Sequence, residues 1–316
     1  MSKKYNKDLQ SKLEQFLIKE NISQAKAAGM IGVSSAAISQ WRRSTYEKGN
    51  INELESKLEE FFRAQSAKEE IEEKGLPFVP ADAYVPTTIS EDVYNLIRYC
   101  QLERGMVVAH GDAGIGKTKA AEKFARENPS STIYIQATPS SGTLNSILRL
   151  LARALKVPES RSKLDLMLDI RKKLDNTNKV IIIDEAQHLK LAALEEIRTL
   201  SDPNTITGQS GTGIVLIGNS EVYSRMTGKQ EARFAQLFSR IRMNRYYSTD
   251  KVQESDIIQL FPALRSKQET RFLLGISKSK WGIRGAVNVY NNAVNNEDIS
   301  CAGLEVMAQQ MGIGVI

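Results

Sequence analysis

Through the middle of the chain, short apolar runs alternate with longer stretches of helical periodicity. Met106-Val107-Val108-Ala109, Thr132-Ile133-Tyr134-Ile135-Gln136, Val180-Ile181-Ile182-Ile183 and Ile214-Val215-Leu216-Ile217 are short and mostly β-branched or apolar, as expected of strands buried on both faces. The spacing predicts strands over 106–110, 132–136, 180–184 and 214–218, and helices over 117–127, 142–156, 162–174 and 190–201. That alternation, over about 91–248, implies an α/β core with a parallel sheet. Beyond about 249 the periodicity is helical, and a small C-terminal helical domain is expected there.

Ahead of the core, residues 1–64 read as a small helical domain. Leu9, Leu13, Phe16 and Leu17 recur at helical spacing. Ala25, Ala28 and Ile31 then give a short helix its apolar face, Gly32-Val33 supplies a tight turn, and Ser34 or Ser35 caps the next helix. That second helix would turn Ala37, Ile38 and Trp41 inward and Ser35, Ala36, Ser39, Gln40, Arg42 and Arg43 outward. This is the helix-turn-helix pattern, whose outward face meets base edges and phosphates; a helical bundle that binds protein is the alternative. Residues 65–90 read as a tether, because the charged run Lys68–Lys74 is followed by Pro77, Pro80 and Pro86.

The chemistry is concentrated where the first strand meets its helix. Gly111-Asp112-Ala113-Gly114-Ile115-Gly116-Lys117-Thr118 has the full G-x-x-x-x-G-K-T spacing of a P-loop. Gly111, Gly114 and Gly116 let backbone N–H groups curl around phosphate oxygens, and the helix that follows aims its positive end at the same anion. Lys117 would reach the β- and γ-phosphates of ATP, and the Thr118 hydroxyl would ligate Mg²⁺. Asp184-Glu185 closes the Val180–Ile183 strand at its carboxyl end, where open α/β sheets place ligands. Asp184 would hold the Mg²⁺ shell and Glu185 would polarise an attacking water. An Asp-Glu pair alone also marks ordinary solvated strand ends; beside a P-loop it points to ATP hydrolysis.

Three further positions fit that chemistry. Asn219 directly follows the strand 214–218, where it would orient water against the γ-phosphate, although asparagine also serves such turns for backbone reasons. Arg240, with Arg242 and Arg233 as alternatives, ends the core and would project into a neighbouring subunit's ATP site. Arg284 in Gly282-Ile283-Arg284-Gly285 would either contact the γ-phosphate in cis or stand as a solvated arginine at a helix start.

Composition narrows the class further. The 316 residues carry a net charge of +6, and between Ser220 and Tyr290 there are 13 Lys and Arg against 6 Asp and Glu. A basic excess confined to one region suggests a polyanion partner; solvated basic helix faces are the alternative. Arg225 and Lys229 join Ser35, Ser39, Gln40, Arg42 and Arg43 as candidate DNA contacts on charge and position alone. Cys100 and Cys301 are isolated and only His110 and His188 represent histidine, which argues against a disulfide framework or zinc site and for a cytosolic compartment. No apolar run approaches a membrane span and the start carries no signal segment.

Taken together the P-loop, the Asp184-Glu185 strand and Asn219 resemble an AAA+ ATPase. More narrowly, Val180–Leu189, Ile217–Gly228 and Phe234–Ile241 resemble the B-protein family of phage Mu and related prophages, the ATP-dependent target-DNA activators of transposition. The resemblance implies a helix-turn-helix domain, an AAA+ core and a lid-like helical domain in sequence. It also implies ATP-driven helical filaments on double-stranded DNA with little sequence preference, recruitment and stimulation of a DDE transposase, and a bacterial host cytoplasm as the setting. A helicase-loader or initiator ATPase, and a regulator whose DNA binding is tuned by nucleotide, are the alternatives.

Overall fold

The computed structural model describes residues 5–20, 22–46, 49–73, 78–80, 83–159, 162–204, 206, 208–227 and 240–314. The chain divides into two compact units, Met1–Leu76 and Pro77–Ile316.

The first unit is helical: α1 (Lys7–Lys19), α2 (Gln24–Ile31), α3 (Ser35–Arg42) and α4 (Ile51–Glu73). Leu9, Leu13, Ala28, Ile31, Ile38, Trp41, Leu54 and Leu58 form its core. Gly32 ends α2 with φ +76°, and Ser34, not Ser35, caps α3 by accepting the Ala37 N–H. Two of the expected orientations change. Ala25 is exposed and Ala27 takes its place in the core. Arg42 does not stand free on the outer face: its guanidinium donates to Gln24 Oε1 at 2.8 Å and Glu14 Oε1 at 3.1 Å, tying α3 to α2 and α1. Helix α4 continues to Glu73, through most of the charged run expected to belong to a tether. Glutamate, lysine and alanine are good helix formers, and charge alone does not end a helix.

In the second unit, α5 (Thr88–Glu103) precedes a sheet of five parallel strands. These are β1 (Met106–Gly111), β2 (Thr132–Gln136), β3 (Val180–Asp184), β4 (Gly213–Gly218) and β5 (Ile241–Tyr247), in the order β2-β3-β4-β1-β5. Residues of β1, β3 and β4 are buried on both faces, which is why these strands read as continuous apolar runs. Helices α6 (Lys117–Glu127), α7 (Leu144–Ala154), α8 (Lys163–Leu174), α9 (Leu191–Ser201) and α10 (Ser220–Thr227) follow strands or precede them as crossovers. Beyond β5 the described elements are helical: α11 (Glu254–Leu260), α12 (Lys267–Lys278), α13 (Gly282–Asn295) and α14 (Cys301–Gln310), with a short 3-10 turn at Thr249–Lys251.

Strand β5 was not expected from the sequence. It lies at the sheet edge, pairs among the described residues with β1 alone, and alternates half-buried Ile241, Met243 and Arg245 with exposed Arg242, Asn244 and Tyr246. Arginine on an exposed edge discourages unwanted strand pairing. Among the described residues no helix is long and apolar enough to cross a membrane.

Candidate active site

The P-loop joins β1 to α6 at the carboxyl end of the sheet. Gly111, Gly114 and Gly116 have φ of +140°, +72° and +99°. At Gly111 the requirement is steric as well, since a Cβ would lie 1.9 Å from the Tyr247 carbonyl oxygen. Strand β5 and the turn after it brace this loop. The Asp112 N–H donates to Tyr247 O at 2.9 Å, and the Asp112 carboxylate accepts the Thr249 N–H at 2.8 Å and its hydroxyl at 3.2 Å.

Lys117 is 8 % exposed and folds back on the loop, its Nζ donating to Gly111 O at 3.1 Å and Asp112 O at 2.5 Å. Burial pushes its ammonium down to about 8, against the pull of Asp184, Asp112 and Glu185. Asp184 is 1 % exposed at the end of β3, and burial pushes its carboxyl up. Hydrogen bonds from Thr118, the Glu185 N–H and Tyr134 oppose that rise. The Tyr134 hydroxyl, donated from β2 at 3.0 Å, was not recognised in the sequence as part of the site.

Glu185 has left-handed backbone, φ +54° and ψ +38°, which costs a non-glycine residue on the order of 1 kcal/mol and is concentrated at functional sites. Gln187 Nε2 donates to Glu185 Oε2. Asn219 lies at the mouth of the same cleft, and its side-chain oxygen accepts the Glu221 N–H at 2.9 Å.

Helix α13 closes the cleft from the opposite side. The Arg284 backbone N–H donates to Gly114 O at 3.0 Å. Gly282, with φ +62°, lets the helix start come this close: a Cβ there would sit 2.7 Å from Ala113 O. The Arg284 side chain is exposed and lines the cleft. A third wall, Val79, Pro80, Ala83 and Val85, comes from the segment before α5. Val79 exchanges both backbone hydrogen bonds with the Asn291 amide of α13, at 3.0 and 2.9 Å. The resulting cleft holds about 490 Å³, apolar at the Val79–Val85 end and charged at the Lys117–Asp184 end. Its size and division suit a nucleotide, with the apolar end for a base and the charged end for phosphates.

The structure thus brings Gly111, Gly114, Gly116, Lys117, Thr118, Asp184, Glu185, Asn219 and Arg284 to one cleft. Arg240 is elsewhere. It precedes β5, beside the Met106 end of β1, with its guanidinium 4.0 Å from Asp202, and it is exposed. The opposite end of β1 carries the P-loop, so Arg240 cannot serve its own chain's cleft. Arg242 lies two residues further on, in β5, 4.0 Å from Glu103. Lys229 and Arg233 lie outside the described residues, as does the side chain of Arg225. Among the described residues no cluster of three or more His, Cys, Asp or Glu could hold a metal. A cation held by Thr118 and Asp184 would complete its shell with water and phosphate oxygens.

Residues 100–226 match the family model described as an AAA domain. The chain is 31% identical over 286 residues to the Mu-like prophage FluMu DNA transposition protein B of Haemophilus influenzae, covering 89% of this chain and 94% of that one. It is 29% identical over 291 residues to the ATP-dependent target DNA activator B of Escherichia phage Mu, covering 91% and 86%. Among solved structures, the Aeropyrum pernix ORC2 protein, determined as ADPNP–ADP complexes, aligns with a TM-score of 0.52 at 17% identity, over 74% of this chain and 70% of that one. That likeness establishes the fold. An ATPase with an AAA domain at its centre, this chain belongs to the family of the Mu-like prophage DNA transposition protein B.

Proposed function

We propose that the protein is an ATP-dependent, largely sequence-non-specific DNA-binding ATPase that oligomerises on target DNA and delivers it to a DDE transposase, stimulating strand transfer. The observation that carries this reading is a relative named for DNA transposition that aligns over 94% of its own length, combined with a cleft equipped for ATP. Lys117 neutralises phosphate charge, Thr118 and Asp184 would hold Mg²⁺, and Glu185 polarises the attacking water. Mg²⁺ fits this donor pair, since a buried carboxylate whose proton affinity is raised gains from an adjacent cation. When bound, the cation neutralises charge on the phosphates. Asn219 sits where it can sense the γ-phosphate, and Arg284 carries the α13 lid toward it.

Arg240 is exposed and remote from its own cleft, which suits an arginine supplied in trans to a neighbour in an oligomer. In the amino-terminal unit, α2, the Gly32 turn and α3 serve as a helix-turn-helix. Ser35, Gln40 and Arg43 are exposed and Ser39 is half-buried, and these are the base and phosphate contacts; Arg42 orients α3 from behind. Arg225 and Lys229 add core contacts on charge alone. Electron microscopy of the protein on random-sequence DNA tests the reading. Filaments that form with ATP and disperse as it is hydrolysed are expected, and a protein that stays monomeric on DNA with ATP refutes it.

A further inference from the structure

Gln187 lies in the short 3-10 turn Ala186–His188 after β3 and is 7 % exposed. Its amide is engaged at both ends. Nε2 donates to Glu185 Oε2, and Oε1 accepts the Asn219 backbone N–H at 3.3 Å. The second contact fixes the first: a backbone N–H requires the oxygen, so the amide nitrogen must face the carboxylate. Gly218 completes the fit, because a Cβ there would lie 2.4 Å from Gln187 Oε1. One buried side chain therefore joins the carboxylate after β3 to the turn after β4. Both ends of that link line the nucleotide cleft, whereas Gln187 itself does not.

We propose that Gln187 is a positioning residue for ATP hydrolysis. It holds the Glu185 carboxylate in register with the 218–219 turn, so that a shift of that turn against the γ-phosphate re-aims Glu185. The inference rests on Glu185 as the group that polarises water. The left-handed backbone at Glu185 sets the root of the side chain, and the Gln187 amide sets the direction of its tip. Leucine at 187 would fill the space and donate nothing. Glutamate would keep the acceptor for Asn219 and place a second carboxylate against Glu185.

The test uses the full chain as Gln187→Leu, Gln187→Glu, Glu185→Gln and the double variant Glu185→Gln/Gln187→Leu. Turnover is measured at saturating ATP with DNA, single-turnover hydrolysis is used for the slow variants, and affinity is read with a fluorescent ATP analogue. Both Gln187 variants should bind the analogue within about twofold of the parent and lose about tenfold or more in kcat. The double variant should hydrolyse ATP no more slowly than Glu185→Gln alone, because the carboxylate that Gln187 aims is already gone. Parental kcat in Gln187→Leu overturns the proposal. So does a loss of affinity equal to the loss of kcat, or a double variant slowed further by the full Gln187→Leu factor. Glu185→Gln separates the two layers: parental turnover there refutes the role of Glu185 and this inference with it, whereas slow Glu185→Gln beside fully active Gln187→Leu refutes this inference alone.

Discussion

Lys117→Met should stabilise the nucleotide-free protein and abolish its thermal response to ATP. In the folded chain the ammonium is held at about 8, below its ordinary 10.5, chiefly by burial. Lowering a lysine this far costs the charged form about 3 kcal/mol. Because the folded value lies below the unfolded one, that cost is present in full below about pH 8 and is relieved as pH rises toward 10.5. Methionine removes the cost but leaves the Gly111 and Asp112 carbonyls without their donor, at about 1 kcal/mol each. The net gain near pH 7 is about 1 kcal/mol, or roughly 2–4 °C in a unit of this size. Differential scanning calorimetry of both proteins, without nucleotide and with ATP and Mg²⁺, reads it directly. ATP should raise the parental transition and leave that of the variant unmoved. At pH 9.5 the advantage of the nucleotide-free variant should shrink. A variant that melts below the parent at pH 7 would show that the ammonium stabilises the empty loop, and a variant still lifted by ATP would remove Lys117 from phosphate binding.

Gly282→Ala should cost about 1–3 kcal/mol of stability through its left-handed φ and the close Ala113 oxygen and weaken nucleotide binding as α13 lifts from Gly114; unchanged ATP affinity would show that the contact does not matter. Arg42→Ala should lower the melting temperature of the amino-terminal unit because it breaks the links to Gln24 and Glu14, whereas Arg43→Ala should leave melting unchanged and reduce DNA affinity and its salt slope; the reverse pattern would exchange their roles. Arg240→Ala mixed with Lys117→Ala should regain partial ATPase activity if Arg240 acts across a subunit interface, and a mixture as inactive as its components despite co-assembly would exclude it. Tyr134→Phe should raise the Mg²⁺ concentration needed for half-maximal turnover by severalfold, since Asp184 loses a hydrogen bond that orients it; an unchanged requirement would make Tyr134 incidental.

Much of the fold was legible because its central strands are buried on both faces. Val180–Ile183 and Ile214–Ile217 have no polar position to interrupt them, so length and β-branching suffice to identify them. Strand β5 was hidden by its place at the edge: Arg242, Asn244 and Arg245 interrupt any apolar run, so the segment does not stand out as a buried strand. The nucleotide-cleft candidates were legible where motif spacing carries them, from Gly111 to Thr118 and at Asp184-Glu185. Tyr134 and Gln187 were not, because each matters through a partner distant in sequence, Asp184 and Asn219, and no local pattern records that pairing. Arg42 looked like its neighbour Arg43 in sequence; only the packing of α3 against α1 and α2 separates an internal brace from an exposed cation.

The strand order also sets when during synthesis the site can exist. β1 carries the P-loop but pairs with β4 and β5, which end at Gly218 and Tyr247. Translation at roughly 5–20 residues per second leaves on the order of ten seconds between emergence of β1 and emergence of its last neighbour. Until β4 has emerged Met106–Ala109 is an apolar strand with both edges unpaired, one edge stays open until β5 follows, and over the whole interval the loop after it lacks the Tyr247 and Thr249 contacts that shape it. Such long-range pairing slows folding and leaves sticky edges open to other nascent chains. The nucleotide site is therefore among the last parts of the chain to form on the ribosome, and a nascent chain stalled before about residue 240 would carry a complete P-loop sequence that cannot yet grip ATP.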